Sequence, residues 1–342
     1  MGRRELVLAQ DQDERPKPLG SRQSRHPRPA VLRVLLTTRL RRNRYTVDMQ
    51  IGASLSIKQC RNFGLDDQKV LKAAITDLGI KRFRLMSYWD EIEQQQGTYD
   101  FAILDKQIKT ISKHQGHVTL CLGARQPRWP ESHWPEWAKS LAKDERNQAL
   151  YAFMTTVAQR YKDNKTVVSW QLENEALLKN FGENGDFDRK RLRHEFKLVK
   201  QLDPTRPIIM TTSTSWGIPF RRPIPDIVGF SYYRITYDKG AYRKSIYQPW
   251  IFKLRALLIR IIWRRPSFIH ELQAEPWGPQ NIWEMTTSEQ AKSMNPDLLQ
   301  ANMAAAKSTK LHPIDLWGLE WWYWRSHHQD DDTLAAIVKD SV

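Results

Sequence analysis

From residue 46 onward, short apolar runs alternate with longer stretches whose apolar residues recur every three or four positions. The short runs have strand length and the long ones have helical period. Eight runs read as strands: Val47–Ser54, Arg82–Met86, His117–Leu122, Val167–Leu172, Pro207–Thr212, Ile227–Ser231, Ser267–His270 and Asp315–Leu319. Between them, Asp66–Leu78 puts Val70, Leu71, Ala74 and Leu78 on one helical face, and Phe101–His114 does the same with Leu104, Ile108 and Ile111. Further helices are expected over Trp137–Tyr161, Phe187–Leu202, Trp250–Trp263 and Ser288–Lys307, with two short ones over Trp216–Pro225 and Leu334–Val342. Strands alternating with helices predict a parallel sheet. Eight such units close a (β/α)8 barrel, whereas an open sheet more often has five or six strands.

The chain has 342 residues, enough for one α/β barrel of about 250 residues plus a tail. Hydrophobic residues make up 40% and charged residues 27%, which supports a packed core and excludes global disorder. The net charge of +16 is uneven: residues 1–45 hold twelve Lys and Arg against four Asp and Glu. Their Pro, Arg and Ser content reads as a basic, disordered N-terminal extension ahead of a barrel domain over 46–342. Such a tail suits peripheral contact with an anionic membrane or wall surface. It matches no nucleic-acid module, so no nucleic-acid partner is expected. Arg33 and Arg39 interrupt the apolar stretch from Ala30 to Leu40 and no cleavage site follows, so no secretory signal is read. No run of about 18 apolar residues predicts a membrane span. Trp250–Trp263 carries Lys253, Arg255 and Arg260. It reads as an outer barrel helix packed on the sheet, with a helix lying on a membrane surface as the alternative. Two cysteines, Cys60 and Cys121, are too few for a disulfide scaffold or a zinc site.

In barrels of this kind the chemistry sits at the C-terminal ends of the strands. The fourth strand ends in VVSWQLENEALL and delivers Glu173, Asn174 and Glu175 to the mouth. The seventh ends in PSFIHELQAEPWG and delivers Glu271, with Gln273 and Glu275 in the loop. One glutamate at a strand end is as readily a surface residue or ion-pair partner. Two from opposed strands, with Asn174 before the first, suit hydrolysis of a glycosidic bond. One carboxyl must donate a proton to the leaving oxygen and the other must be ionised. A separation of about 5–5.5 Å gives retention and a wider gap gives inversion. Asn174 suits a hydrogen bond to a sugar 2-hydroxyl. Glu271 and Glu275 compete as the second carboxylate: strand-end geometry favours Glu271, leaving Glu275 to bind a hydroxyl or brace the loop. His270-Glu271 begins like a zinc-protease motif, but Ala274 stands where the second His would be. There is no glycine-rich phosphate loop and no Gly-x-Ser-x-Gly elbow. No metal and no cofactor are expected.

The segment WQLENE resembles the strand-four Asn-Glu of clan A glycoside hydrolases, the superfamily that includes family 5 cellulases and family 42 β-galactosidases. The resemblance implies a retaining, β-directed double displacement, with Glu175 as acid/base, Asn174 as its partner and a strand-seven glutamate, here Glu271, as nucleophile. RLMSYWDEIEQQQGTYDF resembles the clan's second-strand region, which implies Arg84 as a support for the nucleophile. Strand seven departs from the common Thr-Glu-Phe-Gly pattern; HELQAEPWGP is nearer the Glu-x-Gln of the β-galactosidase-like branch. The resemblance also implies a strand-six tyrosine donating to the nucleophile. Tyr232 and Tyr233 are the candidates, and alternation admits one, with Tyr233 preferred. It implies a Trp after strand eight as the floor of the sugar site: Trp321, with Trp322 and Trp324 nearby and Glu320 as a third mouth carboxylate. In the strand-three loop GARQPRWPESHWPEW, Trp129 with Trp134 and Trp137 suits stacking on further sugars, or simply a well-packed loop. The reading is a monomeric glycoside hydrolase acting on an oligo- or polysaccharide, extracellular or at the cell envelope. Transglycosylation by the same pair and a non-catalytic glycan-binding barrel are the alternatives.

Overall fold

The computed structural model describes residues 50–178, 182, 187–215, 217 and 221–342. The extension over 1–45 and the first three residues of the expected first strand lie outside them. Ten strands follow in chain order: β1 (Ile51–Leu55), β2 (Arg82–Met86), β3 (His117–Leu122), β4 (Val167–Leu172), β5 (Ile208–Thr212), β6 (Ile227–Tyr232), β7 (Ile235–Asp238), β8 (Ala241–Lys244), β9 (Ser267–Gln273) and β10 (Ile314–Trp317). Eight of them form a closed barrel, in the order β1-β10-β9-β6-β5-β4-β3-β2. Each neighbouring pair is parallel. The fold is the expected (β/α)8 barrel, and β9 and β10 are its seventh and eighth strands.

The extra pair, β7 and β8, is an antiparallel hairpin that the periodicity reading missed. Its turn residues Lys239 and Gly240 have φ of 49° and 80°, as a two-residue hairpin turn requires. The signal was present: Lys-Gly between ITYD and AYRK, two segments of alternating character.

Helices wrap the barrel where their apolar faces predicted. Residues 67–76 bury Val70, Leu71, Ala74 and Ile75, and residues 102–113 bury Leu104, Ile108 and Ile111. Two expected long helices are each broken in two, at Glu136–Lys139 with Lys143–Tyr161 and at Thr287–Gln290 with Pro296–Thr309. The second break follows from Asn295, whose side chain accepts from Leu298 N as an N-cap, and from Pro296 in the first turn. The expected helix over 216–225 lies partly outside the described residues, and those described, 217 and 221–225, are not helical.

The barrel interior is polar where many barrels are filled with branched aliphatics. Toward its floor, Arg82 Nε lies 2.8 Å from Asp315 Oδ1, and His270 Nδ1 lies 2.5 Å from Asp315 Oδ2. Room for them comes from two glycines: a Cβ on Gly52 would fall 2.2 Å from Asp315 Oδ1, and one on Gly229 would fall 2.7 Å from His270 Cβ. Asp315 is held down to about 2: burial raises it, but the Arg82 charge and the His270 hydrogen bond outweigh burial. Burial holds His270 down to about 4. Above them Thr119 and Ser169 share a hydrogen bond of 2.8 Å, and Arg84 spans from Ser54 toward β9. The apolar core lies between strands and helices, around Leu85, Leu120, Trp170, Phe230 and Leu316.

Candidate active site

Strand β4 ends at Leu172, and the next residues take an irregular path. Glu173 and Glu175 both have positive φ, 50° and 43°. The kinks separate their fates. Glu173, expected at the mouth, turns instead to the β3 loop, where its carboxylate accepts from Arg125 N at 2.6 Å and Ala124 N at 3.3 Å. Glu175 is buried and its Oε1 accepts from Ser231 Oγ of β6 at 2.7 Å. The backbone N–H of Glu175 donates to Thr211 Oγ1 at 2.7 Å, and that hydroxyl donates to Asn174 Oδ1 at 3.1 Å. Side chains of β5 and β6 therefore fix both Asn174 and Glu175. Burial pushes the Glu175 carboxyl up to about 8, helped by the charge of Glu271 and opposed by the Ser231 hydroxyl. At neutral pH it holds its proton.

Strand β9 runs three residues past the expected end at His270. A bulge explains the difference: Phe230 pairs with Ile269 and Ser231 with Glu271, so His270 is an extra residue. His270 and Glu271 consequently both reach the interior, one toward Asp315 and the other toward the mouth. Glu271 Oε2 accepts from Arg84 Nη2 at 2.6 Å, and Oε1 accepts from Tyr233 Oη at 2.6 Å. Arg84 is fully buried, its Nε donating to Ser54 Oγ at 2.7 Å and its plane 5.2 Å from the centre of the Trp317 ring. Burial works against its charge, and Glu271 more than restores it. Burial and the Glu271 charge push the Tyr233 phenol well up, so it stays a donor. Tyr232 faces the other way, against Phe252 at 4.3 Å. Gln273 sets the loop that carries Tyr233: its Oε1 accepts from Arg234 N and Ile235 N, at 2.9 and 3.0 Å.

Glu275 is paired with Arg128, at 2.7 Å from Nη1 and 3.3 Å from Nη2. Arg128 also approaches Glu320 at 3.8 Å and lies 4.2 Å over Trp317. Glu320 accepts from Ser56 N and is pushed up to about 7 by burial, against the Arg128 charge. The expected floor residue Trp321 is elsewhere. β10 stops at Trp317, Gly318 turns the chain with φ of 146°, and Trp321 is buried in the helix over Leu319–Gln329, bonded to Gln290 Oε1 at 2.9 Å. Trp317, inward by alternation from Asp315, is the aromatic beside the paired groups. Trp129 stands out in solvent, 61% exposed, on the β3 loop.

One mouth residue was not read from the sequence. Glu131, also on the β3 loop, is buried and accepts from Asn174 Nδ2 at 2.8 Å. Burial pushes it up to about 7, with the Asn174 hydrogen bond opposing. Its only signal was an acidic side chain in a mouth loop otherwise rich in Trp and Pro. The mouth thus gathers Glu131, Glu175, Glu271, Glu275 and Glu320 around the Arg84 and Arg128 guanidiniums, with the Arg125 charge also acting on Glu131 and Glu175. Such an arrangement can hold one carboxyl protonated and another aligned and charge-compensated. Among the described residues, no group of three or more His, Cys, Asp and Glu is arranged to hold a metal ion. Cys60 and Cys121 are free and buried.

The family model of glycoside hydrolase family 42, described as beta-galactosidase, matches residues 73–203. That segment includes Arg84, Glu131, Asn174 and Glu175, and ends before Glu271. Beta-galactosidase Bga of Halorubrum lacusprofundi is 28% identical over 121 residues, 30% of this chain and 17% of that protein. Beta-galactosidase LacZ of Lactobacillus acidophilus is 27% identical over 133 residues, 34% of this chain and 20% of that protein. The matched stretches thus span a fifth or less of these relatives' length. Among solved structures, the Halorubrum lacusprofundi beta-galactosidase superposes with TM-score 0.52 at 15% identity, over 79% of this chain and 52% of that one. Exo-beta-1,4-mannosidase Op5Man5 from an Opitutaceae bacterium gives TM-score 0.59 at 12% identity, over 86% and 59%. Xylanase 10B from Thermotoga petrophila gives 0.54 at 15%, over 80% and 83%.

Proposed function

We propose that this chain, a (β/α)8 barrel of the clan A glycoside hydrolase superfamily, cleaves β-glycosidic bonds by double displacement, with Glu175 as acid/base and Glu271 as nucleophile. The observation that carries this is the contrast between the two carboxyls. Glu175 holds a proton at neutral pH, while Glu271 has Arg84 as counter-charge and Tyr233 as donor. In the first step Glu175 gives its proton to the leaving glycosidic oxygen as Glu271 attacks the anomeric carbon. The C1–O bond to the leaving group breaks and an ester to Glu271 forms. In the second step Glu175, now a carboxylate, takes a proton from water, the water oxygen attacks C1, and the ester breaks. Asn174, held by Thr211 and Glu131, serves in this reading as a donor to the 2-hydroxyl through the second hydrogen of its Nδ2. Trp317 is the aromatic side chain at this mouth, with the Arg128 guanidinium 4.2 Å over its ring. β-Galactosides are the substrates to try first, because the family description and the relatives' names agree on them.

Activated 2-deoxy-2-fluoro β-glycosides of galactose, glucose, mannose and xylose test the reading. One of them is expected to inactivate the protein and to leave its mass on the peptide carrying Glu271. A label on Glu275 would overturn the assignment, and so would full activity in Glu271→Ala. Glu175→Gln should lose hydrolysis of natural glycosides while still being labelled by reagents whose leaving group needs no proton.

A further inference from the structure

The helix over Pro249–Trp263 packs one face on the barrel and leaves a second apolar face outside. It buries Phe252, Arg255 and Ile259. Arg255 holds it that way: Nη2 donates to Thr212 Oγ1 at 3.0 Å and to Gly217 O at 3.0 Å, and Nη1 donates to Thr214 O at 3.2 Å. The guanidinium also stacks 4.5 Å from Phe230. With the arginine inside, the opposite face must look outward. That face carries Trp250, Leu254, Leu257 and Ile261, all exposed, with Ile261 at 66% and Trp250 at 62%. Their spacing of four, three and four residues makes one continuous stripe. Ile246 and Ile262 extend it. Lys253, Arg260 and Arg264, also exposed, line one flank. Lys239 to His270 contains eight Lys and Arg and no Asp or Glu.

We propose that this helix face is a docking surface for an anionic lipid bilayer, on which it lies with Trp250, Leu254, Leu257 and Ile261 in the acyl boundary and its cations at the headgroups. Charge selects this occupant. A second copy docked face to face would set Lys253, Arg260 and Arg264 against the same residues, with no carboxylate in the segment to pair them. An anionic surface takes the apolar stripe and the cations together. No described helix is long and apolar enough to cross a membrane, so the contact is peripheral. It does not use the mouth and is independent of the glycosidase chemistry.

The test uses the full chain and vesicles of phosphatidylcholine with phosphatidylglycerol, against phosphatidylcholine alone. Because both native cysteines are buried, Ile261→Cys can be labelled selectively with an environment-sensitive dye. With mixed vesicles the dye is expected to shift to the blue and to be quenched by brominated lipid; with phosphatidylcholine alone it should do neither. Leu257→Ser with Ile261→Ser, and separately Lys253→Glu with Arg260→Glu, should each weaken sedimentation with mixed vesicles by roughly tenfold or more. The positions are exposed, so thermal unfolding should not move. A dye that stays in water while both variants bind like the parent would overturn the proposal, since the basic residues 1–45 would then account for any binding. A concentration-dependent dimer abolished by the serine variant would also overturn it, in favour of a second copy.

Discussion

At the scale of the residue, Glu175 is the group whose environment says most. It is buried and faces the charge of Glu271, and these hold its proton to about pH 8 against the pull of the Ser231 hydroxyl. An acid that must be protonated to act fails as that proton leaves. kcat/KM on a substrate with a poor leaving group is therefore expected to fall as pH rises through about 8. The fall should be absent in Glu175→Gln assayed with an aryl glycoside that needs no protonation. A parent profile flat beyond pH 9 or so would contradict the assignment. Arg84 and Tyr233 illustrate a different point: one carboxylate is aimed by groups from β2 and from the end of β6. No stretch of sequence brings them together, and only closure of the barrel does.

At the scale of the element, the strand ends decided what could be read. Alternation and period located all eight barrel strands, because each has an apolar outward face. The ends were legible only where punctuation was plain. β10 ends at Trp317 because Gly318 follows with a φ that other residues avoid, and reading the strand on to Leu319 set Trp321 at the mouth, whereas the structure has Trp317 there and Trp321 in the following helix. β9 ends late because a bulge at His270 breaks the strict alternation. Glu131 was hidden because a loop residue has no period, and its partner Asn174 lies 43 residues away in the chain. The loop after β3 also holds a checkable strain. Gly123 has φ of 109°, and a Cβ there would come within 2.6 Å of the Glu173 carboxyl carbon. Gly123→Ala should therefore cost about 2–4 kcal/mol in urea unfolding and lower activity, because Glu173 anchors the turn that aims Glu175. Unchanged stability would show that the turn relaxes freely.

At the scale of the whole molecule, the barrel carries several buried carboxyls whose protons are held above the ordinary range: Glu131 and Glu320 at about 7, and Glu175 at about 8. The folded state binds these protons and the unfolded chain releases them from about pH 4.5 upward. Their contribution to stability is complete below that pH and is lost as pH rises through 7 to 8. Glu320→Gln, which keeps an oxygen for Ser56 N, should be more stable relative to the parent at pH 8 than at pH 5. Each tenfold gain in proton affinity is worth roughly 1.4 kcal/mol, so the difference is a few kcal/mol. Equal differences at the two pH values, measured by urea unfolding, would sink this account. His270 acts in the opposite sense, since its folded value of about 4 lies below the ordinary 6.5. Its contribution is lost as pH falls through that window.

The pairing of β1 with β10 joins the first barrel strand to the last, and Arg84 meets Glu271 across 187 residues of chain. During synthesis, β2 leaves the ribosome long before β9 exists. Until then its arginine is a charge destined for the interior with no partner there, and a half-made barrel that buried it would be penalised. The ion pair can therefore add its stabilisation only once β9 is in place.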